Sequence, residues 1–112
     1  LQNASFFYYY LNLLENLSHK GTKIFLESMD PFGLGFQETE TVDYIQHNLL
    51  QKKMGGQMHL RVRYKKYVTP WSDYVFASID ELKEMLLNTN WVIEETLEAP
   101  SDNQYIAILK QK

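Results

Sequence analysis

The chain has 112 residues, 45% hydrophobic and 14% aromatic, with a formal net charge of −3 and no cysteine. That length implies one core of modest size, and so apolar a composition excludes a globally disordered chain. The missing cysteines exclude a disulfide scaffold and a thiolate metal site; they fit a reducing compartment, so a cytoplasmic location is expected. An acidic balance disfavours recruitment of nucleic acid by the surface as a whole, and nucleic acid is not an expected partner. The charge is uneven, however, because six of the eleven Lys and Arg lie between Lys52 and Lys66, both arginines among them.

Ser5 is placed to cap a helix running to about Ser18, in which Phe6, Tyr9, Tyr10, Leu13, Leu14 and Leu17 form one broad apolar face. Asn12, Glu15 and Asn16 interrupt this stretch, so it is too polar and too short to span a membrane. It also lacks the charged lead and small-residue cleavage site of a signal peptide. Lys20-Gly21 closes the helix. Thr22 to Ser28 follows as a strand, apolar on both faces at Ile24-Phe25-Leu26, and Met29-Asp30-Pro31 breaks it. Residues 31 to 40 read as loop. Glu40 to about Lys53 reads as a helix on Val42, Ile45 and Leu49, stopped by Gly55-Gly56.

Gln57 to Lys66 alternates. Met58, Leu60, Val62 and Tyr64 fall on one side and His59, Arg61, Arg63 and Lys65 on the other, the pattern of a half-buried strand. Thr69-Pro70 is the expected turn of a hairpin whose return strand runs from Trp71 to Phe76. Ser78-Ile79-Asp80-Glu81 is a capping box that opens a helix with Ile79, Leu82, Met85 and Leu86 on one face. Trp91 to Leu97 and Gln104 to Leu109 read as strands, joined by a turn at Pro100-Ser101-Asp102-Asn103.

Three groups carry chemical interest, each with a plainer alternative. The basic side of the 57–66 strand suits an anion, with Arg61 and Arg63 as fork-shaped donors, or is simply a solvated face. Tyr64, Tyr67, Trp71 and Tyr74 suit a substrate wall or a cation–π box, or cross-strand packing. Asp30, at the carboxyl end of a strand, suits a substrate contact or proton transfer, or a turn before proline. His19, His47 and His59 lack metal-ligand spacing, so no metal is expected.

The order of elements resembles the C-terminal part of a class I S-adenosylmethionine-dependent methyltransferase. The resemblance covers most of the chain. It rests on Leu1-Gln2-Asn3 before a helix, on Leu13-Leu14 with Lys20-Gly21 and Ile24-Phe25-Leu26-Glu27-Ser28, and on Arg61-Val62-Arg63-Tyr64 with Tyr67-Val68-Thr69-Pro70-Trp71. It continues through Ser78, Glu81-Leu82 and Thr89-Asn90-Trp91, and ends on Tyr105-Ile106-Ala107-Ile108-Leu109. Gln2 departs from the family where a glycine often precedes the Asn, and Ser72 stands where an aromatic is common.

The resemblance implies an α/β fold, the C-terminal half of a Rossmann-like methyltransferase domain with a mixed sheet and a helix and hairpin insert at 31–77. It implies that residues 104–109 lie antiparallel between 22–28 and 91–97. It implies S-adenosylmethionine as the cofactor, with Asn3 beside it, and Asp30, Arg61, Arg63, Tyr64, Trp71 and Tyr74 on the side of a small-molecule methyl acceptor. The glycine-rich first turn and the acidic residue that hold the cofactor in that family have no counterpart here. The chain is therefore expected to be inactive alone. The edge of the 22–28 strand is expected to be covered by a second copy or by the missing half. The rival reading is a free-standing α+β module that binds an anionic ligand or a partner protein.

Overall fold

The computed structural model describes residues 5–33, 39–99 and 103–112. Its elements are α1 (Ser5–Leu17), β1 (Lys23–Met29), α2 (Thr39–Leu50), β2 (Gln57–Leu60), β3 (Arg63–Tyr64), β4 (Tyr67–Val68), β5 (Ser72–Val75), α3 (Ile79–Leu86), β6 (Trp91–Ala99) and β7 (Gln104–Gln111). The chain is α/β, and the described strands pair only in antiparallel fashion.

The main sheet has the order β1-β7-β6. The last strand therefore lies between the other two, as expected, and β1 and β6 run parallel to one another on either side of it. A mixed sheet would need a further strand beside β1, and among the described residues β1 pairs only with β7. Ser28 faces Tyr105, Leu26 faces Ala107 and Ile24 faces Leu109. Across β7, Leu109 faces Ile93, and a bulge at Glu94 shifts the register before Glu95.

Period-two alternation sends these residues to one face, where α1 and α3 cover them. Leu11, Leu82, Leu86, Trp91, Tyr105, Ala107 and Leu109 form the core there, with Phe7, Ile24, Leu26, Ile79 and Ile93 packed at its margin. The indole nitrogen of Trp91 donates to the Leu11 carbonyl at 3.2 Å, so this wholly buried ring has its polar atom satisfied. The capping box of α3 is complete: Ser78 Oγ accepts from the Glu81 amide, and the Glu81 carboxylate accepts from the Ser78 amide. Leu82, Met85 and Leu86 are buried as its spacing predicts.

The other helices depart from their sequence patterns. In α1 Leu11 is buried and Phe7, Tyr8 and Glu15 are half-buried, while Phe6, Tyr9, Tyr10, Leu13, Leu14 and Leu17 are exposed. A helix apolar nearly all round does not specify which side turns inward, and three strands are wide enough to cover only one stripe of it. In α2 Ile45 is buried but Val42 and Leu49 are exposed. That helix ends at Leu50, before Gly55-Gly56. Lys52 takes a φ of 59°, with its amide bonded to Leu49 O and the Lys53 amide bonded to Asn48 O. This is a Schellman motif with lysine where glycine is usual.

The second face of the main sheet is bare. Phe25, Ile106, Ile108, Leu97 and Val92 point to it by register, interleaved with Lys23, Glu27, Glu95 and Lys110, and Phe25 is 69% exposed. Lys23 and Glu94 form an ion pair across β7, and Lys23, with the Lys110 field behind it, holds the Glu94 carboxyl below its ordinary range. An antiparallel sheet can leave one face to water, whereas a parallel α/β sheet has helices on both.

Candidate functional site

The hairpin is one protruding arm, and α2 and the end of β1 fix its root. Asn48, buried in α2, donates through its side-chain amide to Gly55 O at 3.0 Å and Gln57 O at 2.8 Å. The Phe76 amide bonds Gly56 O at 2.8 Å, and a Cβ on Gly56 would lie 1.9 Å from the Phe76 carbonyl oxygen. No side chain fits there. On the exit side Tyr105 donates its hydroxyl to Ala77 O at 2.6 Å, while Ser28 Oγ accepts from the Ala77 amide at 3.2 Å. Burial is the main cause that pushes the Tyr105 phenol upward from its usual range. Ser28 and Tyr105 are cross-strand partners, so the arm leaves from the carboxyl end of β1. Open α/β sheets place ligands at such ends.

Beyond the root the expected strand of residues 57–66 is broken. Leu60 faces Ser72 and Arg63 faces Val68, so Arg61 and Val62 on one strand span the gap bridged by Thr69, Pro70 and Trp71 on the other. That is a bulge. Pro70 fits it because proline cannot donate to a ladder. The turn of the hairpin is accordingly Lys65-Lys66, not Thr69-Pro70, and Lys65 takes a φ of 54°. The Thr69 amide instead bonds Val62 O at 2.9 Å, and Thr69 Oγ1 accepts from the Val62 amide at 2.9 Å, closing the bulge from within. Because the arm stands away from the body, its apolar side is not half-buried as the alternation implied. Only Met58 is buried, and Leu60, Val62 and Tyr64 are exposed.

The bulge also breaks the regular basic stripe. The His59 ring stacks on Trp71 at 5.1 Å between centres and pairs with Asp73 at 2.7 Å, and the Arg61 guanidinium lies 4.6 Å from the Trp71 ring centre. Arg63 faces Val68 further out, and Lys65 and Lys66 sit beside the rings of Tyr64 and Tyr67 at the tip. Tyr74 stacks on Phe76 at 6.4 Å, nearer the root. The four aromatics therefore do not converge into a cage. Each packs with its own neighbour along the arm, and only Trp71, against His59 and Arg61, does so across the strands.

Asp30 lies apart from the arm cations. Its carboxylate accepts from the Phe32 amide at 2.9 Å, and its own amide bonds Asn103 O at 2.9 Å, so it forms the turn before Pro31. It borders an open cavity of about 530 Å³ together with Ser78, Asp80, Glu98 and Asn103. A second cavity, about 400 Å³ and mostly apolar, lies between α1, β1 and the arm root, lined by Phe6, Phe7, Leu26, Val75, Ala77 and Met85 among others. None of the residues predicted as substrate contacts lines it. Asp73 does, and sequence reasoning missed that residue and Asn48 alike. Neither has a local signature, since Asp73 meets His59 only once the register is known.

Asn3 lies outside the described residues. After β1 the chain enters an Asp-Pro turn closed by the Asp30 carboxylate, which is not a glycine-lined phosphate or cofactor turn. Among the described residues no group of three His, Asp or Glu is placed to hold a metal ion, and no helix is long and apolar enough to cross a membrane. No family model, curated protein or solved structure matches the chain.

Proposed function

We propose that the chain is the C-terminal portion of an S-adenosylmethionine-dependent methyltransferase, supplying the far end of its sheet and one wall of its substrate cleft. The observation that carries this reading is the order β1-β7-β6, with a reversed last strand between two strands that run parallel to one another. The helices leading into β1 and β6 share one face, which is how successive crossovers of one hand lie on a parallel sheet. Among the described residues three surfaces are uncovered: the free edge of β1, the mixed second face of the sheet, and the apolar outer side of α1. An N-terminal half of the same fold would meet the first two, with a strand beside β1 and helices on the bare face. That half also carries the glycine-rich turn. The chain alone is then inactive and prone to pair with a second copy through the same surfaces.

Calorimetric titration with S-adenosylmethionine tests this. The 112-residue chain is expected not to bind tighter than about 100 μM, roughly −5.5 kcal/mol, and the polypeptide extended by the residues encoded upstream of Leu1 is expected to bind. Tight binding by the short chain, or none by the extended one, refutes the reading.

A further inference from the structure

The arm supports an inference that stands apart from methyl transfer. The arm, residues 57–76, contains four Lys and Arg and one Asp, hence +3, while the remainder of the chain has seven against thirteen, hence −6. Solubility alone favours interspersed signs, not a basic arm on an acidic body. The arm is a two-stranded ribbon, and every residue from His59 to Val75 is exposed. Tyr64 and Tyr67 face each other across the tip and are each 66% exposed. The ammonium groups of Lys65 and Lys66 lie 5.3 and 5.5 Å from those two ring centres. Lys65 takes a left-handed φ of 54° at the turn, so two adjacent lysines cap the tip.

We propose that the arm binds single-stranded nucleic acid. Arg61, Arg63, Lys65 and Lys66 lie against successive phosphates, and Tyr64 and Tyr67 offer flat faces on which bases stack. A simple anion needs the cations alone, and the exposed rings among them are what a base adds. The acidic body repels a polyanion everywhere else and so orients it along the arm.

The test is fluorescence anisotropy of labelled oligouridylate and oligothymidylate, each about 12 nucleotides long, with the full chain and no S-adenosylmethionine, across a salt series. Leaving out that cofactor separates this result from the methyltransferase reading. With four phosphates neutralised, log K should fall against log salt with a slope of about −3. Lys65→Ser with Lys66→Ser should remove about 1.4 of that slope, and Lys65→Arg with Lys66→Arg should restore it. Tyr64→Ala with Tyr67→Ala should weaken binding about tenfold or more at unchanged slope. Tighter binding of the uridylate would assign a contact to the ribose hydroxyl; equal binding would confine recognition to bases and phosphates. The proposal is overturned by absence of binding at low salt, or by a slope that the lysine changes leave intact. It is equally overturned by tyrosine variants that bind as well as the parent, or by polyglutamate or phosphatidylserine vesicles binding as tightly as the oligonucleotides. The substituted residues lie at the exposed tip, and unchanged circular dichroism confirms that the body stays folded.

Discussion

Phe25→Lys separates a covered sheet face from one that simply tolerates exposed carbon. Phe25 sits on the bare face opposite Ile108 and keeps 69% of its surface in water. In the 112-residue chain the substitution therefore removes little burial and should change stability by no more than about 0.5 kcal/mol. If an N-terminal half covers this face, the remaining surface is removed from water too. An aromatic side chain buries about 150–250 Å², so roughly 140 Å² is at stake. At about 25 cal/mol per Å² that is worth about 3.5 kcal/mol, before the cost of placing an ammonium group against apolar neighbours. Urea unfolding of the short and extended polypeptides, each with and without the substitution, reads the difference directly. The expected result is a large loss in the extended protein and almost none in the short one. Equal losses in both would remove the basis for a missing layer. Light scattering on the short chain supplies a companion reading: a strictly monomeric species at high concentration, insensitive to Phe25→Lys, would also count against uncovered apolar surfaces that seek a partner.

Four further outcomes follow from the arm's root and caps. Asn48→Leu strips two carbonyls, Gly55 O and Gln57 O, of their donor and should cost about 2–3 kcal/mol in chemical denaturation. Gly56→Ala forces a methyl group onto the Phe76 carbonyl and should cost about 1–3 kcal/mol, with amide exchange rising first in β2 and β5. Lys52→Gly relieves a left-handed lysine and should stabilise the chain by up to about 1 kcal/mol, seen as a higher urea midpoint at the same slope. The Tyr105 phenol titrates higher when folded than when unfolded, so its contribution is complete below about pH 10 and is lost as pH rises through the folded value. Tyr105→Phe should lower stability at neutral pH by about 1 kcal/mol and flatten the alkaline decline, and a decline of the same steepness in the variant would assign it to other groups.

What could be read in advance depended on whether the information was local. Ser78 and Glu81 make the α3 cap within four residues, so that helix was legible down to its first hydrogen bonds. The strands at 23–29, 91–99 and 104–111 were legible because short β-rich runs between turn residues admit few alternatives. The hairpin was legible as a pair of strands but not in its register. Thr69-Pro70 is the better turn sequence, yet the chain turns at Lys65-Lys66, because a bulge absorbs the extra residue and the pairing of Gln57 with Val75 fixes the rest. From Lys65 inward the basic residues then fall differently from the regular spacing of a straight strand. Asp30, Arg61, Arg63, Tyr64, Trp71 and Tyr74 were chosen as one site, but the structure separates the Asp30 turn from the arm and strings the rest along it.

The misreading of α1 has the most physical content. Six large apolar residues at helical spacing ordinarily mark the buried side of a helix, and here they face water while Leu11 on another side is packed. Sequence periodicity does not say which apolar stripe of such a helix is packed, and among the described side chains of α1 only Leu11 is buried. On β1, by contrast, the uncovered side alternates Lys23, Phe25 and Glu27 against Ile24 and Leu26 on the side that packs, so Phe25 stands there between charges. The apolar surplus is therefore carried chiefly by α1, and under the proposed reading that is the surface a further layer of protein would cover. Exposed carbon scattered singly over a finished surface needs no explanation, whereas six large apolar residues along one helix form a contiguous patch. The arm differs in kind: its exposed surface is cationic and aromatic, which suits a ligand of opposite charge.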